Sequence, residues 1–262
     1  VGVQALINPL YSLSGFVVGL LVGMTGVGGG SLMTPMLVLF FGIHPQTAVG
    51  TDLLYAACTK TVGTLIHGLS GSVQWRIVAL LASGSLPATI ATLTTLGYAG
   101  APTPATTRLI SCGLGIALLL TALCILFRAQ IVAYVAAQFG EPKGRTADVL
   151  TVLTGIWLGV FVSISSVGAG AIGVTVLLML YPRLSLAGIV GTDIAHAVPL
   201  TLVAGIGHWL IGSTDWHLFV SLICGSVPGI VAGSFIATRV SDRVLRPALA
   251  GVLVLVGGKL VF

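Results

Sequence analysis

"GMTGVGGGSLMTP", residues 23–35, places four glycines within five positions, between "GFVVGLLV" and "MLVLFF". In water such a run is an ordinary loop. With apolar sequence on both sides it interrupts a helix in oil, where backbone polar groups must be paired. Irregular chain survives there only when it is buried in protein or lines a wet cavity. Glycine also lets another group approach the main chain closely.

The surroundings establish that setting. Of 262 residues, 56% are hydrophobic and only 6% are charged, against about a quarter charged in a soluble domain. About 20 apolar residues span the hydrocarbon core as a helix. Such segments run near 46–69, 76–98, 106–128, 187–211, 217–237 and 243–262, and two longer, glycine-broken ones cover 6–42 and 147–182. The chain reads as an all-α, polytopic membrane protein. Its net charge of +5 rests on basic residues in short connections, which speaks of topology and not of nucleic acid. Residues 1–13 hold no basic residue, so a signal peptide is not expected there. Cys58, Cys112, Cys124 and Cys224 stand singly in apolar segments and read as small buried hydrophobes. No metal pattern and no cofactor is indicated.

The broken segment occurs twice. "GFVVGLLVGMTGVGGG" from Gly15 matches "GIWLGVFVSISSVGAG" from Gly155 at an offset of 140. After a one-residue slip, Gly50-Thr51-Asp52 matches Gly191-Thr192-Asp193, His67 matches His208, Trp75 matches Trp216, and Gly84-Ser85 matches Gly225-Ser226. The chain thus divides into a first transmembrane repeat, 1–137, a polar linker, 138–147, and a second repeat, 148–262. Matched, interrupted helices are a plan of secondary transporters, with the site at the repeat interface. If every segment crosses, basic residues divide evenly between the sides. If the two broken segments enter and return, one side holds Arg76, Arg128, Lys143, Arg145, Arg183, Arg239, Arg243 and Arg246, and the other only Arg108 and Lys259. The second arrangement obeys the positive-inside tendency, makes the repeats inverted, and is preferred.

A helix restarting after such a break exposes unpaired N–H groups, and with the helix dipole these form an anion site. The candidate anion-binding residues are therefore Gly28, Gly29, Gly30 and Ser31 in the first copy and Gly168, Ala169, Gly170 and Ala171 in the second. Thr51 and Thr192 stand beside them in the duplicated Gly-Thr-Asp. Gly15, Gly19 and Gly23, spaced by four, read instead as helix-packing positions. The match of residues 168–173 to G-x-G-x-x-G lacks the strand and soluble βαβ unit of a dinucleotide site.

Ionisable groups inside spans are functional by default. Asp52, Lys60 and His67 fall within about 80° of one helix face. The second half repeats Asp193 and His208, carries Thr201 in place of Lys60, and adds His196. Lys60 suits an anion's counter-charge, or an ion pair across the repeats with Asp193. Asp52 and Asp193 suit proton carriers, or caps of helices beginning there. His67 and His208 suit coupling, or interfacial hydrogen bonding. Trp75 and Trp216 read as headgroup anchors, and His44, Arg76 and His217 as surface residues.

These motifs together resemble the TauE/SafE sulfite exporter family. The resemblance rests on "GVGGGSLMTPML", "HPQTAVGTDLL" and "IHGLSGSVQWRIVALLASGSLP", with their second copies "SVGAGAIGVTVLL", "AGIVGTDIAHA" and "GIGHWLIGSTDWHLFVSLICGSVPGIVAG". It implies a multi-pass protein of the bacterial inner membrane that moves a small sulfur oxyanion or organosulfonate, as an exporter coupled to protons. Two departures stand out. Asp52 and Asp193 occupy positions where the resemblance leads one to expect serine, and Ser166 and Ala169 interrupt the second glycine cluster. Carboxylates beside an anion site repel their ligand unless protonated. Two other readings remain: a cation-coupled carrier or channel using Asp52 and Asp193, and an intramembrane hydrolase with Ser31 as nucleophile and His67 or His208 as base. The partners expected are a small anion and the bilayer; oligomeric state has no signature here.

Overall fold

The computed structural model describes residues 7–25, 30–69, 73–98, 100, 103–237 and 242–261. Among them it contains ten helices and no strand. In chain order they are α1 (Pro9–Thr25), α2 (Gly30–Phe41), α3 (Pro45–Leu69), α4 (Trp75–Tyr98) and α5 (Pro104–Phe139). The second half supplies α6 (Arg145–Ser165), α7 (Ala171–Leu180), α8 (Leu186–Leu210), α9 (Trp216–Ala237) and α10 (Asp242–Val261). Gly28 and Gly29 lie outside the described residues, as do the side chains of Ser31 and His67.

Among the described residues, five helices, α4, α5, α6, α8 and α9, contain stretches long and apolar enough to cross a membrane. The sequence suggested more. α3 matches α8 in length at 25 residues, but Asp52, Lys60 and its threonines keep it outside that set. In α10 the described apolar stretch is only Leu249–Val261. α6 qualifies by itself, ahead of the break that follows it.

Helix pairing follows the duplication. α1 packs along α9, α4 along α6, α5 along α10, and α3 along α8 at the centre. Small residues make the first two pairings close. A Cβ on Gly15 would lie 2.3 Å from the Leu222 carbonyl oxygen, and one on Gly155 would lie 2.2 Å from that of Leu81. Gly19 meets Ser226 as Gly159 meets Ser85. Lipid tails give no hydrophobic drive to helix association, so such backbone proximity carries the packing. Gly155→Leu should push α6 from α4 at a cost of about 3 kcal/mol. A lower melting temperature in detergent checks this. Gly251→Ala, whose added Cβ meets nothing within 4 Å, is the control and should be neutral.

α3 and α8 run antiparallel: Gly50 abuts His208, and Gly205 abuts Leu54. The loops lock this pair reciprocally. The Asp215 backbone N–H donates to Thr51 Oγ1 at 3.1 Å, and the Gln74 N–H donates to Thr192 Oγ1 at 2.9 Å. Donors and acceptors are repeat-mates of one another at the 141-residue offset.

Several expectations about single residues change. Cys58 and Cys224 are exposed and Cys112 and Cys124 half-buried, because they face away from the helix pairs that form the core. His44 is half-buried and bonds Thr107 Oγ1 at 2.9 Å. Trp75 and Trp216 do stand exposed at the starts of α4 and α9, and His217 is exposed. Arg76 is also exposed and pairs with Asp148 at 2.6 Å.

Candidate functional site: a buried polar line beside the break between α6 and α7

The stretch between α6 and α7 is held open by backbone geometry. Ser166 is left-handed at φ 59°, and Gly168 and Gly170 take φ 117° and 127°. Three positive φ values in five residues end the helix, and two of them need glycine. Ser166 occupies the third at a conformational cost of about 1 kcal/mol. Its hydroxyl has a use, donating to Asp52 Oδ2 at 2.9 Å. The same oxygen accepts from Thr34 Oγ1 of α2 at 2.5 Å. Asp52 on α3 therefore ties the short helix of the first half to the interruption of the second.

Asp193 on α8 sits against the start of α7, beside the Gly170 backbone N–H. Gly173 makes room for this carboxylate: an added Cβ there would lie 2.0 Å from Asp193 Oδ1. Neither aspartate caps its own helix. α3 begins at Pro45 and α8 at Leu186, so both carboxylates lie a full two turns inside. Asp193 instead serves the N-terminus of a different helix, where a negative charge is favoured.

Lys60 is 8% exposed and its charge faces both Asp193 and Asp52, Asp193 more strongly. Among the described residues it forms no direct ion pair with either. The antiparallel register explains why. Asp52 and Asp193 are separated by roughly 20 Å of helix rise, with Lys60 between them and nearer Asp193. One oxygen of each carboxylate, Oδ1 of Asp52 and Oδ1 of Asp193, is buried without a hydrogen-bond partner among the described residues. Buried polar groups are normally paired, so these atoms mark where a proton, a water or a ligand belongs.

Two further pairs frame the line. Ser85 Oγ bonds His196 Nε2 at 2.9 Å, and the Tyr55 hydroxyl bonds Ser226 Oγ. Tyr55 and His196 are repeat-mates, as are Ser85 and Ser226. His208 Nε2 donates to the Ser163 carbonyl at 2.9 Å, which anchors α8 to α6 just before the interruption. Thr51 and Thr192 are both committed to the loops, and Thr192 donates as well to the Gly188 carbonyl at 2.6 Å. Gly168, Ala169, Gly170 and Ala171 line the turn into α7; Gly30 begins α2. The sequence reading missed Thr34, Tyr55, Ser85, Ser166 and Ser226. Duplicated Gly-Ser at 84–85 and 225–226 was the signal for two of them.

A helical, multi-pass membrane protein with acids, a lysine and a histidine enclosed between its central helices is built as a membrane transporter. The chain matches the family model "Sulfite exporter TauE/SafE" over residues 11–260, and it belongs to that family. It is 36% identical over 252 residues to the probable membrane transporter protein YjnA of Bacillus subtilis (strain 168), covering 95% of this chain and 98% of that one. A second relative, YdhB of the same organism, is 28% identical over 92% of this chain and 97% of its own length. The probable membrane transporter protein MJ0441 of Methanocaldococcus jannaschii is 24% identical over 96% and 94%. No solved structure matches the chain. The relatives are transporters and not enzymes, which sets aside the hydrolase reading.

Proposed function

We propose that the protein is a secondary transporter that exports a small sulfur oxyanion or organosulfonate across the bacterial inner membrane, with proton binding at Asp52 and Asp193 coupled to anion binding. The family's description supports the substrate class and the direction. The observation that carries the coupling is Lys60 enclosed between two carboxylates that each keep an unpartnered oxygen.

Charge counting gives the mechanism. With both acids ionised and Lys60 protonated, the site holds one net negative charge. A monovalent anion would make it two, which a low-dielectric interior opposes strongly. One proton on the empty site and two on the loaded site keep it neutral in both states. Each anion then binds together with one proton. The helix start at Gly170 and the residues from Gly28 to Ser31 are the proposed backbone donors, assisted by Lys60 and released as the acids become neutral.

The halves act as inverted repeats. Support comes from the antiparallel α3 and α8 and their reciprocal loop anchors: a two-fold axis relating antiparallel helices runs across them, in the membrane plane when the helices stand upright. The repeats, 1–137 and 148–262, then move against each other about α3 and α8 to open the site to either side.

Proteoliposomes test this. Imposed sulfite gradients should drive sulfite flux together with acidification of the receiving compartment, reported by a trapped pH dye, and substituting sodium for potassium should change nothing. Sulfite flux without proton movement would refute the coupling. Sodium dependence with no sulfite flux would favour the cation-carrier alternative.

A further inference from the structure

The repeats break at two positions along the polar line, and both changes add an N–H donor. Lys60 stands where its repeat-mate is Thr201, and His196 stands where its repeat-mate is Tyr55. The mates offer nothing comparable. Thr201 donates its hydroxyl to the Ala197 carbonyl at 2.7 Å, and the Tyr55 hydroxyl is engaged with Ser226. Lys60 and His196 come from opposite central helices, and the Lys60 charge faces His196.

Hydrogen bonding decides which nitrogen of His196 carries the proton. The Ser85 hydroxyl needs an acceptor, and His196 Nε2 at 2.9 Å is the one it has. A neutral imidazole whose Nε2 accepts must be protonated at Nδ1. That Nδ1 is fully buried and has no partner among the described residues. An unsatisfied donor at this depth is costly. His208 shows the opposite arrangement: its Nε2 faces a carbonyl and must donate, which leaves Nδ1 as a bare acceptor. Asp193 stands three residues before His196, on the same side of α8, so the charged groups around the open N–H are Lys60 and Asp193, with Asp52 farther along the line.

We infer that His196 is a substrate-binding residue, its Nδ1–H donating to an oxygen of the bound oxyanion while Lys60 supplies the charge, and that Ser85 is the positioning residue that sets its tautomer. This rests on the anion-transport reading above. The histidine suits a tetrahedral or pyramidal oxyanion, whose several oxygens can be shared among donors from both helices. A spherical halide offers no such division, so the site should prefer sulfite to chloride through His196.

The test compares His196→Asn with His196→Gln. The Asn amide nitrogen falls near the place of Nδ1 and keeps the donor to the ligand. The Gln amide falls near Nε2 and keeps only the bond to Ser85. Sulfite binding is read by calorimetry on the purified protein in detergent, and KM and maximal flux in proteoliposomes. His196→Gln should weaken sulfite binding about 10-fold or more, and His196→Asn by no more than about 3-fold, given the usual strength of one bond to a charged acceptor. KM should carry the loss. Ser85→Ala should raise KM and shift the histidine tautomer, which a ¹⁵N-histidine spectrum reports directly. Equal binding by the Gln variant and wild type, or equal damage in Asn and Gln, would overturn the assignment. So would an Nε2-protonated His196 in the wild-type spectrum, a result independent of which ligand is bound. Wild type that binds and moves no sulfite would refute the transport reading itself, and this inference with it.

Discussion

Lys60→Gln is expected to abolish sulfite binding and flux while leaving a folded, membrane-inserted protein. The lysine is the cation facing Asp52 and Asp193 from between them, and without it a bound anion sits among acids alone. Removing one partner from a buried charge cluster costs about 3–5 kcal/mol, which corresponds to a loss of affinity of about 100-fold or more. Folding survives because both carboxylates can take up protons, leaving a neutral interior. Lys60→Arg keeps the charge and should recover part of the binding. Thermal shift with and without sulfite, beside flux, measures both sides of this expectation. Sulfite stabilising the Gln variant as well as wild type would remove Lys60 from the site.

Asp193→Asn should strengthen anion binding at alkaline pH and weaken its dependence on protons. An anion and a carboxylate repel, so anion binding favours protonation of the acid. By linkage, lower pH must then strengthen anion binding. The Asn side chain keeps nearly the same shape, but it carries no charge at any pH. Affinity at alkaline pH should therefore rise by about 10-fold or more, since a like charge several ångströms away costs a few kcal/mol at an effective dielectric near 20. The dependence of affinity on pH should weaken, while Asp52 still takes up one proton with each anion; sulfite-driven proton movement should fall to background only when Asp52→Asn is added. Binding is compared at a fixed concentration of the singly charged hydrogen sulfite ion, so that the probe's own titration does not enter. An unchanged pH profile would place the coupling proton elsewhere, with Asp52→Asn as the next variant. Asp52 is held by Thr34 and Ser166, and its replacement should also loosen the contact between α2 and the second interruption.

The membrane class of the chain was legible because composition and apolar length are properties of the chain alone. So was the internal similarity at an offset of 140–141, since tryptophans, histidines and Gly-Thr-Asp are rare enough here to align by themselves. The number of spans was less legible. A helix such as α3, buried among its neighbours, can carry Asp52 and Lys60 because protein and not lipid surrounds them, and an apolar window does not see that difference. The cysteines misled for a related reason: in a bilayer protein the outer surface is apolar too, so hydrophobic character does not imply burial.

Sequence by itself determined that this protein lives in a membrane and that its charges within the apolar segments are few and placed. Tertiary structure decided their partners. The antiparallel register of α3 against α8 sets Lys60 between two aspartates that are 141 residues apart in sequence. The left-handed turn at Ser166 delivers a hydroxyl from the second half to an acid of the first. The reason is physical. Local spacing governs which helix face a residue occupies, whereas the depth at which two helices meet is set by close contacts of backbone with small residues, and those belong to the pair and not to either helix.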